Sequence, residues 1–284
     1  MTRQKSIAIA TFKGIGQIML QENFITGILL GIGILMGDFG MGVAVILASL
    51  VATLLATFLQ YPTDAVLEGL YGFNAALVGA ATLLLLKSDH WITWLIVILG
   101  AILATLLFQF FRQYKLKVFT LPFILITWMF LLLIHSLFPE VLVTTASKNL
   151  NSFNWIFVLL KGLGQVIFQD QLLPCIFFAI ALGYASPKGA VFGIIASGFA
   201  SLIAWVLDAP IDVIGSGIFG FNAGLCVLVF ANQPLKNVSW ALLSVLLALA
   251  IQYIFRYLHL PELTFPFVAA TIITLDIKKR FSPI

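Results

Sequence analysis

Apolar residues fill this chain in long blocks that polar residues interrupt only briefly. Nearly unbroken stretches fall at Phe24–Gly37, Phe39–Gln60, Gly69–Leu86, Trp91–Phe111 and Val118–Phe138. Five more follow at Leu172–Ser186, Gly189–Leu207, Val213–Pro234, Val238–Phe255 and Leu263–Leu275. A bilayer core about 30 Å thick needs roughly 20 apolar residues in a helix, and a chain in lipid must satisfy its backbone internally. The pattern predicts an all-α polytopic membrane protein with about ten transmembrane helices and short re-entrant helices. The first, sixth and last stretches are short for a full crossing, so each thins the bilayer, extends into preceding residues or lines a cavity.

Composition agrees with this reading. Of 284 residues, 62% are hydrophobic and 9% charged, with a mean hydropathy of +1.12, whereas a soluble domain carries about a quarter charged residues. The net charge of +4 does not call for nucleic acid, because Lys and Arg collect in the cytoplasmic loops of membrane proteins. Ten spans put both termini on one side, and with that side cytoplasmic it gathers Arg3, Lys5, Lys13, Arg112, Lys115, Lys117, Lys188, Lys236, Lys278, Lys279 and Arg280. The opposite side keeps Lys87, Lys148, Lys161 and Arg256. Arg3, Lys5 and Lys13 also break up the first apolar run, which argues against a cleavable signal peptide. Cys175 and Cys226 have neither metal-site nor disulfide spacing.

The chain resembles itself. Lys13-Gly-Ile-Gly-Gln-Ile-Met-Leu-Gln21 returns as Lys161-Gly-Leu-Gly-Gln-Val-Ile-Phe-Gln169, and Gly69-Leu-Tyr-Gly-Phe-Asn-Ala-Ala-Leu77 as Gly217-Ile-Phe-Gly-Phe-Asn-Ala-Gly-Leu225, both 148 residues later. Thr120-Leu-Pro-Phe123 returns as Thr264-Phe-Pro-Phe267, 144 residues later. Three ordered pairs at nearly one spacing mark an internal duplication, with halves at residues 1–150 and 151–284. Five predicted spans separate each landmark from its copy, so the second half enters the membrane from the opposite side. Inverted repeats of this kind place a solute path near the repeat interface.

Each half supplies the same three candidate elements. Gln17 and Gln165 offer an acceptor and two donors, suited to a solute presenting both, or serve to cap or bridge helices. Phe73 with Leu77, and Phe221 with Leu225, share a helix face at a spacing of four; they make a flat apolar slot or ordinary core. Asn74 and Asn222 read as helix-terminal hydrogen-bond formers. In Thr-x-Pro-Phe the proline disrupts the helical ladder, so the Thr120 and Thr264 hydroxyls and neighbouring carbonyls replace solvating water, or the hydroxyls bond back to their own helices.

Leu260-Pro-Glu-Leu-Thr-Phe-Pro-Phe267 resembles the Leu-Pro-x-x-Thr-x-Pro-Phe signature of urea transporters, and Leu116-Lys-Val-Phe-Thr-Leu-Pro-Phe123 keeps it except for Lys117 in place of the first proline. The Gly-x-x-Gln leads and Gly-Phe-Asn repeats are similar to that family too, in the same order over nearly the whole chain. The resemblance is to bacterial-type urea channels. It implies a homotrimer in the bacterial inner membrane, each subunit conducting passively through a pore between two five-helix repeats, with no cofactor and no metal. It also implies a filter in which Phe73, Leu77, Phe221 and Leu225 form the slot and Thr120 and Thr264 an oxygen ladder. Gln17 and Gln165 frame the binding positions, and Leu20 and Phe168 line the slot, although Leu20 stands where an aromatic residue is common.

Other functions fit less well. An ion-coupled carrier keeps ionisable residues within its spans, whereas the acids here, among them Asp64, Glu68, Asp208, Asp212 and Glu262, sit at span ends or in loops. An ammonium channel calls for paired pore histidines, yet His90, His135 and His259 are not repeat mates. The Asn-Pro-Ala tripeptide of water channels is absent. An intramembrane enzyme needs a nucleophile with a base, or a clustered metal site, and the spans show neither. Urea, short amides and ammonia all remain compatible with a narrow neutral slot.

Overall fold

The computed structural model describes residues 3–143, 154–231 and 238–281. All regular structure among them is helical, apart from one isolated bridge between Leu86 and Leu142. The chain divides into two compact units, residues 1–147 and 148–284. The expected boundary at 150/151, Lys148, Lys236, the Pro234 end of the eighth apolar stretch and the side chain of Arg3 lie outside the described residues.

The first unit contains α1 (Arg3–Gln17), α2 (Phe24–Gly37), α3 (Phe39–Phe58), α4 (Thr63–Leu67), α5 (Gly72–Leu85), α6 (Trp91–Gln113) and α7 (Leu121–Leu137). The second contains α8 (Trp155–Gly164), α9 (Leu172–Ala185), α10 (Pro187–Val206), α11 (Ile211–Gly215), α12 (Gly220–Phe230), α13 (Val238–Tyr257) and α14 (Phe265–Phe281). The sequence repeat is therefore also a repeat of elements. The starts of α2 to α5 recur 148 residues later as those of α9 to α12, and α7 recurs 144 residues later as α14.

Each predicted apolar stretch contains most of one helix, the eighth also taking in the last three residues of α11, and the helices with no such stretch are α1, α4 and α8. Length separates the ten. Among the described residues α3, α6, α10 and α13 are long and apolar enough to cross a membrane, and α8 with its following turn meets α9 at an 81° bend. The helices α2, α5, α7 and α12 are apolar but shorter, at 10–17 residues.

Local chemistry explains the helix starts. Asp38 accepts from the Met41 amide at 2.8 Å, and Ser186, its repeat mate, accepts from Gly189 at 3.1 Å. Each is a side-chain cap of the kind that satisfies an orphan N–H in the first turn. Small residues at every fourth position line the packed face of α3 (Ala44, Ala48, Ala52, Ala56) and of α10 (Ala196, Ala200, Ala204). With no hydrophobic drive between helices in lipid, such faces let backbones approach and gain dispersion contact. Outside the bundle, Phe39, Phe58, Leu132 and Ile195 are at least 60% exposed, a surface suited to acyl chains.

Candidate functional site

The repeated glycines bring two motifs together in each unit. A Cβ built on Gly14 of α1 would lie 2.9 Å from the Gly72 Cα of α5 and 2.8 Å from Ser49 Oγ of α3. In the second unit a Cβ on Gly162 would lie 3.2 Å from the Gly220 Cα. The turns that lead into α5 and α12 pass through Gly69 and Gly217 at φ +78° and +82°, against the backbone at Gly14 and Gly162. Only glycine enters this backbone region without strain, and only glycine leaves room for the crossing.

Hydrogen bonds then join all three motifs. Gln17 donates through Nε2 to the Glu68 carbonyl at 3.1 Å, fixing the end of α1 on the turn before Gly69. Six residues on, Asn74 donates through Nδ2 to the Phe119 carbonyl at 3.3 Å and accepts from the Phe123 amide at 3.0 Å through Oδ1. The second unit makes the same bonds: Gln165 to Ser216 at 2.9 Å, Asn222 to Leu263 at 3.4 Å, and Phe267 to Asn222 at 3.2 Å. Pro122 and Pro266 supply no N–H, and each asparagine satisfies the orphan donor just after its proline. Asn74 and Asn222 are thus helix-terminal hydrogen-bond formers, each with its nitrogen and its oxygen engaged at the start of α7 or α14.

Thr120 and Thr264 follow directly on the residues that accept from those asparagines, Phe119 and Leu263, both in the left-handed region at φ 44° and 45°. Thr120 is the N-cap residue of α7, yet its hydroxyl makes no cap bond to that helix. Both threonines are buried. The glutamines do bridge elements, and with Nε2 held on a carbonyl each side chain presents Oε1 as its acceptor. Leu20 and Phe168 adopt φ 58° and 57° where α1 and the turn after α8 reverse, and both are half-buried. Phe73, Leu77, Phe221 and Leu225 are all buried, with the Phe73 ring edge-on to Phe108 at 5.6 Å; burial of this kind fits slot and core alike. Lys117, the departure from the signature, is exposed.

The acids mostly behave as the sequence suggests: Asp64 and Asp212 are exposed in the first turns of α4 and α11. Glu262 differs. It is buried at 8% exposure, accepts from Gln252 Nε2 at 3.0 Å and lies 3.5 Å from Arg256 Nη1. Burial pushes its carboxyl above the ordinary range, with Arg256 opposing. Nothing in the sequence marks it, because it occupies a variable position of the signature and its partners stand six and ten residues earlier on another helix. No group of three His, Cys, Asp or Glu residues able to hold a metal occurs among the described residues.

A family model described as urea transporter matches residues 8–279. Urea transporter 1 of Ovis aries is 26% identical over 287 residues, covering 93% of this chain and 75% of that protein. Urea transporter 1 of Capra hircus and of Mus musculus match with the same identity and coverage.

Proposed function

Because the chain belongs to the urea transporter family, we propose that it conducts urea passively across the cell membrane, both termini cytoplasmic, through a filter built twice from the repeated motifs. Membership makes it a membrane-embedded transporter rather than an enzyme. The observation that carries the reading is the doubled hydrogen-bonded constellation, in which the same atoms of Gln17 and Gln165, and of Asn74 and Asn222, tie three motifs together.

Urea is planar and neutral, with one carbonyl and two amide groups. Burying each polar group without a partner costs several kcal/mol. The Thr120 and Thr264 hydroxyls and the nearby carbonyls accept its N–H bonds, and the glutamine Oε1 atoms add an acceptor at each binding position. Phe73, Leu77, Phe221 and Leu225, with Leu20 and Phe168 beside them, admit only a flat molecule. Hydrated ions are excluded because no charge in such a slot repays their desolvation. The two repeats are inverted, and three subunits assemble, each with its own path.

The test is urea flux by stopped-flow light scattering in proteoliposomes. Equilibration is expected to be fast and indifferent to proton or sodium ionophores. Thr120→Val or Thr264→Val removes one hydroxyl worth about 1 kcal/mol, and is expected to slow flux roughly five- to tenfold. Wild-type vesicles no faster than empty ones would refute the assignment.

A further inference from the structure

The two units differ at one buried place next to the proposed ladder. In the second unit Glu262, two residues before Thr264, meets Gln252 and the turn at Ile218 and Phe219: Gln252 Nε2 donates to Glu262 Oε1 at 3.0 Å and to the Ile218 carbonyl at 2.8 Å, while the Arg256 guanidinium lies 4.9 Å from the centre of the Phe219 ring. The repeat mates of these three in the first unit are Val118, Phe108 and Tyr71, with the Tyr71 and Phe108 rings 5.6 Å apart, edge to face; there the mate of Arg256 is Arg112, which hydrogen-bonds the Tyr71 side chain, and the Tyr71 hydroxyl donates to Gln109 at 2.6 Å. The fold therefore closes this corner without a carboxylate. A buried ion pair is also weak support for stability, since well-packed apolar residues of similar volume do as well or better. A carboxylate kept here in one unit only, beside an arginine present in both as Arg112 and Arg256, calls for another reason.

The backbone supplies one. The Glu262 carbonyl accepts from the Phe265 amide, the first residue of α14, at 3.0 Å. The side chain of the same residue is held on α13. Glu262 thus braces both sides of the left-handed turn at Leu263 that sets down Thr264. The bracing is incomplete: Glu262 Oε2 and Gln252 Oε1 are buried with no hydrogen-bond partner among the described residues. Two unpaired acceptors at one site are costly, and a proton on the carboxylate removes part of that cost while dissolving the attraction to Arg256.

We infer that Glu262 is a positioning residue for the Thr264 hydroxyl, and that its ionisation sets the conduction rate: the carboxylate holds the turn for passage, and the protonated form releases it. This rests on the reading of Thr264 as a ladder residue. Urea itself does not titrate between mildly acidic and neutral pH, so a pH break in its flux belongs to the protein. The titratable and charged groups around the carboxylate are Arg256 and Tyr253 on α13 and the exposed His259 in the connection to α14; the turn before α12 contributes the Ile218 carbonyl and the Phe219 ring. Burial moves the Glu262 carboxyl upward, with Arg256 and the Gln252 hydrogen bond opposing.

The test is the pH profile of urea flux in proteoliposomes buffered equally on both sides. Wild-type flux is expected to fall about threefold or more as the pH is lowered from neutral through the point at which the upward-shifted carboxylate takes up its proton. Glu262→Gln, a fixed neutral mimic, is expected to stay near the low-pH rate throughout. Arg256→Met removes the cation that holds the carboxylate ionised, so its break is expected at higher pH than in the wild type. The triple variant Glu262→Val with Gln252→Phe and Phe219→Tyr gives the corner the first unit's residues at these positions, including a hydroxyl for Arg256, and is expected to conduct without a pH break. A flat wild-type profile, or a Glu262→Gln profile that follows the wild type, overturns the inference while leaving urea conduction standing. Wild-type vesicles that pass no urea overturn the functional reading on which it depends.

Discussion

At the scale of single residues, the asparagines of Gly-Phe-Asn show how a polar side chain comes to be kept in an apolar helix. Asn74 and Asn222 are almost completely buried, yet each amide uses its nitrogen on the turn before a proline and its oxygen on the amide just after it. Asn74→Ala or Asn222→Ala strands a buried amide, and is expected to cost about 1–3 kcal/mol of stability. The measurement is thermal unfolding in detergent; an unchanged Tm in both variants would count against the clamp. Either variant also loosens the threonine beside the clamped turn, so urea flux per folded protein is expected to fall with it. The glutamines use their amide nitrogens in the same way, each bonded to a backbone carbonyl 51 residues on in the chain.

At the scale of elements, contact between α1 and α5, and between α8 and α12, depends on paired glycines and on two glycine turns. Gly69→Ala and Gly217→Ala each force an L-residue to positive φ, at about 1–2 kcal/mol, and also drive a methyl group into the facing backbone at Gly14 or Gly162. Both are expected to lose folded protein on size-exclusion chromatography. Gly183, on α9, has nothing within 4 Å of a built Cβ, and Gly183→Ala is expected to elute as the wild type. Equal behaviour of all three would contradict the close crossing. The short helices belong to this scale too: α4 and α11, five residues each, do not span anything but place Glu68 and Ser216, whose carbonyls receive the glutamines.

At the scale of the whole molecule, the repetition of elements sets out the same helices and the same hydrogen bonds twice, once in each unit. The exposed apolar side chains of the outer helices suit lipid, or further copies of the chain. Three copies of a 31.1 kDa chain are expected by multi-angle light scattering of the detergent-solubilised protein after correction for bound detergent. A monomeric mass across detergents would remove the trimer and leave a single-subunit path.

How much of this was legible beforehand depends on the range of the interaction concerned. The ten apolar blocks, the duplication and the ordered motifs could be read from the chain, because lipid demands long apolar runs and because a repeat is a property of order. Leu121–Leu137 and Phe265–Phe281 start one residue after Thr120 and Thr264, as a proline just inside a helix start requires. Helix lengths within those blocks were less legible, since the turns at Gly69 and Gly217 and the bend after α8 take residues out of the helices. What only the tertiary structure decided is which polar atoms meet. Gln17 finds Glu68 at a separation of 51 residues, and Asn74 finds Phe119 at 45. Glu262 becomes a buried, half-satisfied carboxylate only because α13 brings Gln252 and Arg256 to it. Hydropathy is additive along a chain and so can be read in one dimension; hydrogen-bond satisfaction is a matter of pairs, and pairs are set by packing.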